Sequence, residues 1–242
     1  FWMGVLGWDV VVFEYVDGAI DLKHNAENLA QFIEYLDREA GGDYHLALVG
    51  GSMGGMVVRT MFAQENDNMG VETFVSLDSP HRGVVLSEWV ADAAEQVVDY
   101  VAARQMYHGH PDYEEHYGGL EKAEATADFR QRVMGQVDSL AIALSDGSGE
   151  WTIRPRHLLL HNEFYPVSSY VDAAGLRSNY MPYHSTAFLD DPSTEREPRG
   201  TSFRYRYRDL TSSYFDQVIG NEADEHGAPE YSWLQALQFL LE

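Results

Sequence analysis

The residue in this sequence best fitted to do chemistry is a serine set among glycines. Gly50-Gly51-Ser52-Met53-Gly54 follows His45 to Val49 (HLALV), a short apolar run, and leads directly into Met53 to Gln64 (MGGMVVRTMFAQ), whose pattern is helical. A serine on so tight a turn projects its hydroxyl above the end of a strand, where a base can take the proton and a carbonyl carbon can approach. Side chains two residues to either side would collide with the adjoining strand or helix, so glycines at 50 and 54 are read as what permits the turn. A helix starting at Met53 aims its free N–H groups at any oxyanion forming beside Ser52, and Met53 N–H is the expected donor. The rival use of such glycines is to cradle a phosphate, but no G-x-G-x-x-G run and no Walker lysine accompanies them.

A serine nucleophile needs a base, and imidazole is the side chain that shuttles protons near neutrality. Ten histidines are available. The complete absence of cysteine removes thiol catalysis, disulfides, Cys-ligated zinc and iron–sulfur clusters from consideration.

The elements that must hold Ser52 read as alternating strands and helices. Asp9 to Tyr15 (DVVVFEY) is expected to be a buried strand, followed by a helix with Leu29, Phe32, Ile33 and Leu36 at helical spacing and a stop at Gly41-Gly42. After the strand at 45–49 and the helix from Met53, Val71 to Leu77 (VETFVSL) is a third strand. That succession implies parallel βαβ units. From about Leu86 to Glu150 no strand is evident. Val90, Ala94, Val97, Val98 and Val101 share one helical face, a second helical stretch is expected over Leu120 to Leu144, and a polar loop lies between them. Arg156 to Glu163 is expected to resume the sheet. The alternating Phe203 to Arg208 (FRYRYR) reads as an edge strand in an irregular tail, and Trp233 to Leu241 as the last helix. There is no internal repeat.

The segments VGGSMGGMVVR (49–59) and VSLDSPHRGV (75–84) resemble the α/β-hydrolases, and among them the lipase-like serine hydrolases. Weaker similarity runs from Met181-Pro182 to Asp190 and from Tyr214-Phe215-Asp216 to His226. The resemblance implies an α/β-hydrolase-type, mostly parallel sheet with a helical insertion, truncated at the N-terminus: residues 1–85 and 151–242 form the core and 86–150 a cap or lid. It also implies the chain order serine, acid, histidine, with the histidine just before the final helix. His226, in Asp224-Glu225-His226-Gly227, fits that place, and His184 is the alternative base. The acid is expected at Asp78, which ends a strand in a Leu-Asp context similar to that of pancreatic-type lipases. Asp190 is the second choice, followed by Asp172 and Glu163. His81, in Ser79-Pro80-His81-Arg82-Gly83, is expected to pack near the site and orient its loop, and His24, His45 and His157 to be structural. The second oxyanion donor of this family would lie upstream of Phe1.

The apolar face from Val90 to Val101 could line an acyl pocket, although such stripes more commonly serve helix packing. His108, His110 and His116, with neighbouring acids, form a weak candidate for a cation site, since scattered His and acid in a loop are usually solvated. No metal and no cofactor is required by the chemistry expected here.

Charge completes the picture. Sixteen Lys and Arg against 39 Asp and Glu give a net charge of −23, and only Lys23 and Lys122 are lysines. Such a field repels phosphate backbones, which argues against nucleic-acid binding, and it matches a surface adapted to high salt. No apolar run approaches the ~18 residues of a membrane span, so a soluble protein is expected. The chain opens on Phe1-Trp2 with no initiator Met, so an upstream region, a secretion signal among the alternatives, is expected to have been removed or left out. The expected function is serine carboxylic-ester hydrolysis, as lipase or esterase, on a small-molecule or lipid ester. The alternatives are an acyltransferase or thioesterase on the same triad and a non-catalytic scaffold that binds a ligand or partner.

Overall fold

The computed structural model describes residues 7–41, 44–77, 79–81, 83, 100–107, 110–144, 197–199, 202–204, 214–221 and 230–241. Its elements in chain order are α1 (Leu22–Ala40), β1 (Leu46–Gly51), α2 (Met53–Glu65), β2 (Val71–Leu77), α3 (Val101–Met106) and α4 (Pro111–Glu124). After a helical turn at Ala127–Phe129 and a π-helical turn at Arg130–Met134 come β3 (Asp138–Leu144), β4 (Glu197–Arg199), β5 (Ser202–Arg204), β6 (Gln217–Asn221) and α5 (Glu230–Leu241). Strands β1, β2, β3 and β6 form one sheet in that order, with every neighbouring pair parallel.

The apolar character of these strands follows from helices on both faces. Phe74 packs with Leu22, Ile33, Met56 and Phe62 of α1 and α2, whereas the adjacent Val75 packs with Leu140, Ile142, Ala236 and Leu240, the last two from α5. Helix α1 forms where its spacing predicts. Asp21 caps it by accepting from Lys23 N at 2.8 Å, its apolar stripe buries Leu22, Ala26, Leu29, Ala30 and Ile33, and left-handed Gly41 (φ 76°) ends it.

Four expectations need correction. Asp9 to Tyr15 is not a strand: Val10, Val11 and Val12 are 64, 59 and 76% exposed, and only Phe13 and Tyr15 turn toward the core, Phe13 lying 5.3 Å from Phe32. β-Branched residues make a strand when a neighbour supplies the ladder, and among the described residues none bonds to this stretch.

The expected helix over Leu120 to Leu144 instead contains β3, which pairs with β2 from Thr73↔Asp138 to Leu77↔Ile142. A short apolar run satisfies either period. Burial decides it, because Leu140 and Ile142 join the α5 cluster while Ala141 joins the opposite one. The span 86–150 therefore includes a strand of the sheet, and its described helical part ends before Asp138.

The polar loop expected around residue 110 is largely helix α4. Pro111 occupies the first turn, His110 caps it by accepting from Asp112 N at 3.1 Å, and Tyr113, His116 and Leu120 bury one face. In the tail, β6 has no counterpart among the expected strands. Of the expected edge strand, residues 203 and 204 belong to β5, which pairs antiparallel with β4 in a separate two-stranded sheet, and residues 205–208 lie outside the described residues.

The last helix begins at Glu230, three residues before expectation. Asp216 ties the start of β6 to that of β3, its Oδ2 accepting from Ser139 N at 2.9 Å and from Ser139 Oγ at 3.0 Å. The expected strand at 156–163 and the valine stripe from Val90 to Val98 lie outside the described residues. Among the described residues no helix is long and apolar enough to cross a membrane.

Candidate active site

The carboxyl ends of β1 and β2 stand side by side, with Gly50 opposite Ser76 and Gly51 opposite Leu77. The ladder extends one residue further, since Ser52 N donates to Leu77 O at 2.9 Å. There the chain reverses into α2. Ser52 has φ 51° and ψ −121°, a left-handed backbone that costs a non-glycine residue about 1–3 kcal/mol and that the surroundings must impose. Two close approaches impose it. A Cβ on Gly50 would lie 2.6 Å from Gly55 N and 2.7 Å from Gly54 C, and one on Gly55 would overlap Ser79 Oγ and stand 2.8 Å from Ser76 Oγ.

Among the described residues the second essential glycine is thus Gly55 and not Gly54, because there a Cβ at Gly54 would meet only Tyr15 Oη, at 3.8 Å. The first helical turn presents its third residue to β2 and the turn after it, and its second residue away from them.

Ser52 occupies the N-cap position of α2, yet its side chain makes no cap bond. Serine at that position ordinarily accepts from an N–H of the first turn. Among the described residues the Ser52 hydroxyl is therefore uncommitted, half-buried at the carboxyl edge of the sheet. Met53 is the first helical residue, so its N–H has no acceptor within the helix and remains available to an oxyanion.

The turn after β2 closes over the inner side of this reversal. Ser79 Oγ sits 3.4 Å from both Gly50 O and Leu77 O, and His81 is fully buried with Nε2 2.6 Å from Ser76 Oγ. Burial, and then the charge of Arg59, holds the His81 imidazole well below its usual pKa, so it is neutral. His81 packs beside the site, as expected from its sequence position.

His116 of α4 is likewise buried. Its Nε2 lies 3.2 Å from Thr60 Oγ1, which itself donates to Met56 O, so His116 is the donor in that contact. Burial lowers its pKa to about 4, with Lys23 and Arg59 acting in the same sense and Asp21 opposing. His110 serves as the α4 cap. Both histidines of the candidate cation group that can be described thus have structural partners. Among the described residues no group of three His, Asp or Glu could hold a metal ion. His108 lies outside the described residues, as do Asp78, Asp190, His184 and His226.

Two residues that bear on the candidate site were not read from the sequence. One is Gly55 as a packing constraint, which the double glycine after Met53 could have signalled. The other is Asp146, which follows the end of β3 by two residues and becomes visible as a candidate only once 138–144 is recognised as a parallel strand.

A family model described as the alpha/beta hydrolase fold matches residues 9–127. Among solved structures, the mature form of the Bacillus licheniformis lipase BlEst2 is 18% identical, with a TM-score of 0.36 over 57% of this chain and 51% of that one. Phospholipase PlaB from Legionella pneumophila is 12% identical, with a TM-score of 0.41 over 56% of this chain and 28% of that one. This chain therefore spans about half of the first protein's length and less than a third of the second's. No curated protein matches it.

Proposed function

We propose that this chain, an α/β-hydrolase by fold, is a serine carboxylic-ester hydrolase with Ser52 as nucleophile, His226 as base and then acid, and Asp78 orienting the imidazole. The observation that carries the reading is Ser52 itself: a left-handed serine at a helix N-cap whose hydroxyl caps nothing, at the carboxyl edge where α/β sheets bind their ligands.

In the reaction Ser52 Oγ attacks the ester carbonyl carbon and passes its proton to His226, while the negative oxygen draws on Met53 N–H. The imidazolium returns the proton to the departing alcohol. Water then attacks the acyl-enzyme with His226 again as base, and the carboxylic acid leaves with Ser52 restored. No cofactor enters these steps.

Chain order supports His226 over His184, because residue 226 lies between Asn221 at the end of β6 and Glu230 at the start of α5. Asp78 directly follows Leu77 of β2, the strand next to the nucleophile strand. Asp146, which follows β3 in sequence, joins Asp190 as a rival.

The substrate class is a small-molecule or lipid ester. Acyl transfer or thioester hydrolysis would use the same groups and would be separated by products formed with added alcohol or thiol acceptors. The net charge of −23 supports a protein adapted to high salt.

The test is hydrolysis of p-nitrophenyl esters from short to long acyl chain by the wild type and Ser52→Ala. The variant should fold normally and lose on the order of 10⁴-fold or more in turnover. An inactive wild type that fails to react with serine-directed probes would instead favour a non-catalytic scaffold.

A further inference from the structure

Arg59 lies on α2 seven residues after Ser52 and is 2% exposed. Its Nε and Nη2 donate to the two oxygens of Glu124, the last residue of α4, at 2.5 and 2.6 Å, and its Nη1 donates to His81 O at 2.6 Å. The guanidinium carbon also stands 5.6 Å from the Tyr117 ring centre and 5.5 Å from that of Tyr214. Burial alone would lower its pKa, but the Glu124 carboxylate outweighs that and keeps Arg59 charged. One side chain thus joins the nucleophile helix, the end of α4, the turn after β2 and the segment entering β6.

That turn is the one packed against the serine's two flanking glycines. His81, whose carbonyl Arg59 holds, reaches back through its ring to Ser76. The Ser76 and Ser79 hydroxyls fill the space beside Gly55, and Ser79 approaches Gly50 O. A shift of His81 would be passed to both sides of Ser52.

We propose that Arg59 is a positioning residue: anchored on Glu124, it holds the turn after β2 against Gly50 and Gly55 and thereby sets the orientation of Ser52. The inference rests on the reading of Ser52 as nucleophile. It predicts an effect distinct from stability, because replacing a buried ion pair by apolar residues of similar volume is often neutral or stabilising, whereas removing one partner is not. The apolar pair would lack the bond to His81 O.

The experiment measures melting temperature and the second-order rate of fluorophosphonate labelling for the wild type, Arg59→Lys and the double variant Arg59→Met/Glu124→Leu. The double variant should melt close to the wild type yet label roughly 10- to 100-fold more slowly, the scale expected when a reacting group is misplaced by about 1 Å. Arg59→Lys keeps the charge but loses the three-armed geometry, and its kcat on a p-nitrophenyl ester should fall about tenfold with KM unchanged. Labelling at the wild-type rate in a folded double variant would overturn the proposal. Should that variant not fold, unchanged labelling and kcat in Arg59→Lys would overturn it equally. A wild type that does not label at all would instead remove Ser52 as nucleophile, and this inference with it.

Discussion

The tight strand-to-helix turn at Ser52 was legible in the sequence because its constraints are local: a strand, a helix and small residues between them within a few positions. Which glycine matters was not legible, since the answer depends on Ser76 and Ser79, more than twenty residues away. Gly55→Ala should therefore destabilise by about 1–3 kcal/mol through overpacking and slow ester hydrolysis, while Gly54→Ala should be close to neutral in melting temperature. Equal effects of the two substitutions on thermal melting would contradict that assignment. His116 carries a second prediction. Its pKa is about 4 in the fold against 6.5 ordinarily, so below pH 6.5 the unfolded chain takes up a proton that the folded one refuses. The stability this neutral imidazole secures is complete above about pH 6.5 and is lost as pH falls toward 4, in total on the order of 3 kcal/mol. His116→Leu should remove that part of the acid sensitivity, visible as a shallower fall of denaturant midpoint with pH than in the wild type. Parallel curves would show that His116 does not titrate in this way.

Elements were legible where length and periodicity agreed. The stripe of α1 and the apolar runs of β1 and β2 have one reading each. Residues 138–144 have two, and only the placement of Leu140 and Ile142 against α5 makes them a strand. The opposite failure occurs at Val10 to Val12, where a strand-like composition has no ladder to join among the described residues. With β3 in the sheet, two strand ends stand on the same side of the strand that leads into Ser52, β2 next to it and β3 one further away, followed in sequence by Asp78 and Asp146. The reading proposed above predicts that Asp78→Asn lowers turnover by on the order of 10⁴-fold, through loss of the imidazole's correct tautomer, with Asp146→Asn and Asp190→Asn nearly silent. Steady-state kinetics on the three variants would decide. A large loss in Asp146→Asn with Asp78→Asn active would move the acid to the end of β3.

At the scale of the whole molecule, the net charge of −23 is the property that composition alone revealed, and no single contact expresses it. Crowded carboxylates repel one another over ~10 Å at 0.1 M salt and over ~3 Å at 1 M, while high concentrations of salting-out ions also strengthen apolar burial. Melting temperature and activity should rise together from millimolar to molar KCl. A melting temperature flat across that range would show the charge to be incidental to stability.

The sheet, its two helical faces and the reversal between β1 and α2 have their functional meaning only if the hydroxyl they expose is the group that reacts. Intact-mass and peptide-mass measurement after treatment with a fluorophosphonate addresses this directly. The account predicts one adduct per chain, on the peptide containing Ser52, absent from Ser52→Ala and formed at a rate that follows the deprotonation of a single imidazole-like group. An adduct on any other serine, or one that persists in a folded Ser52→Ala variant, would contradict it.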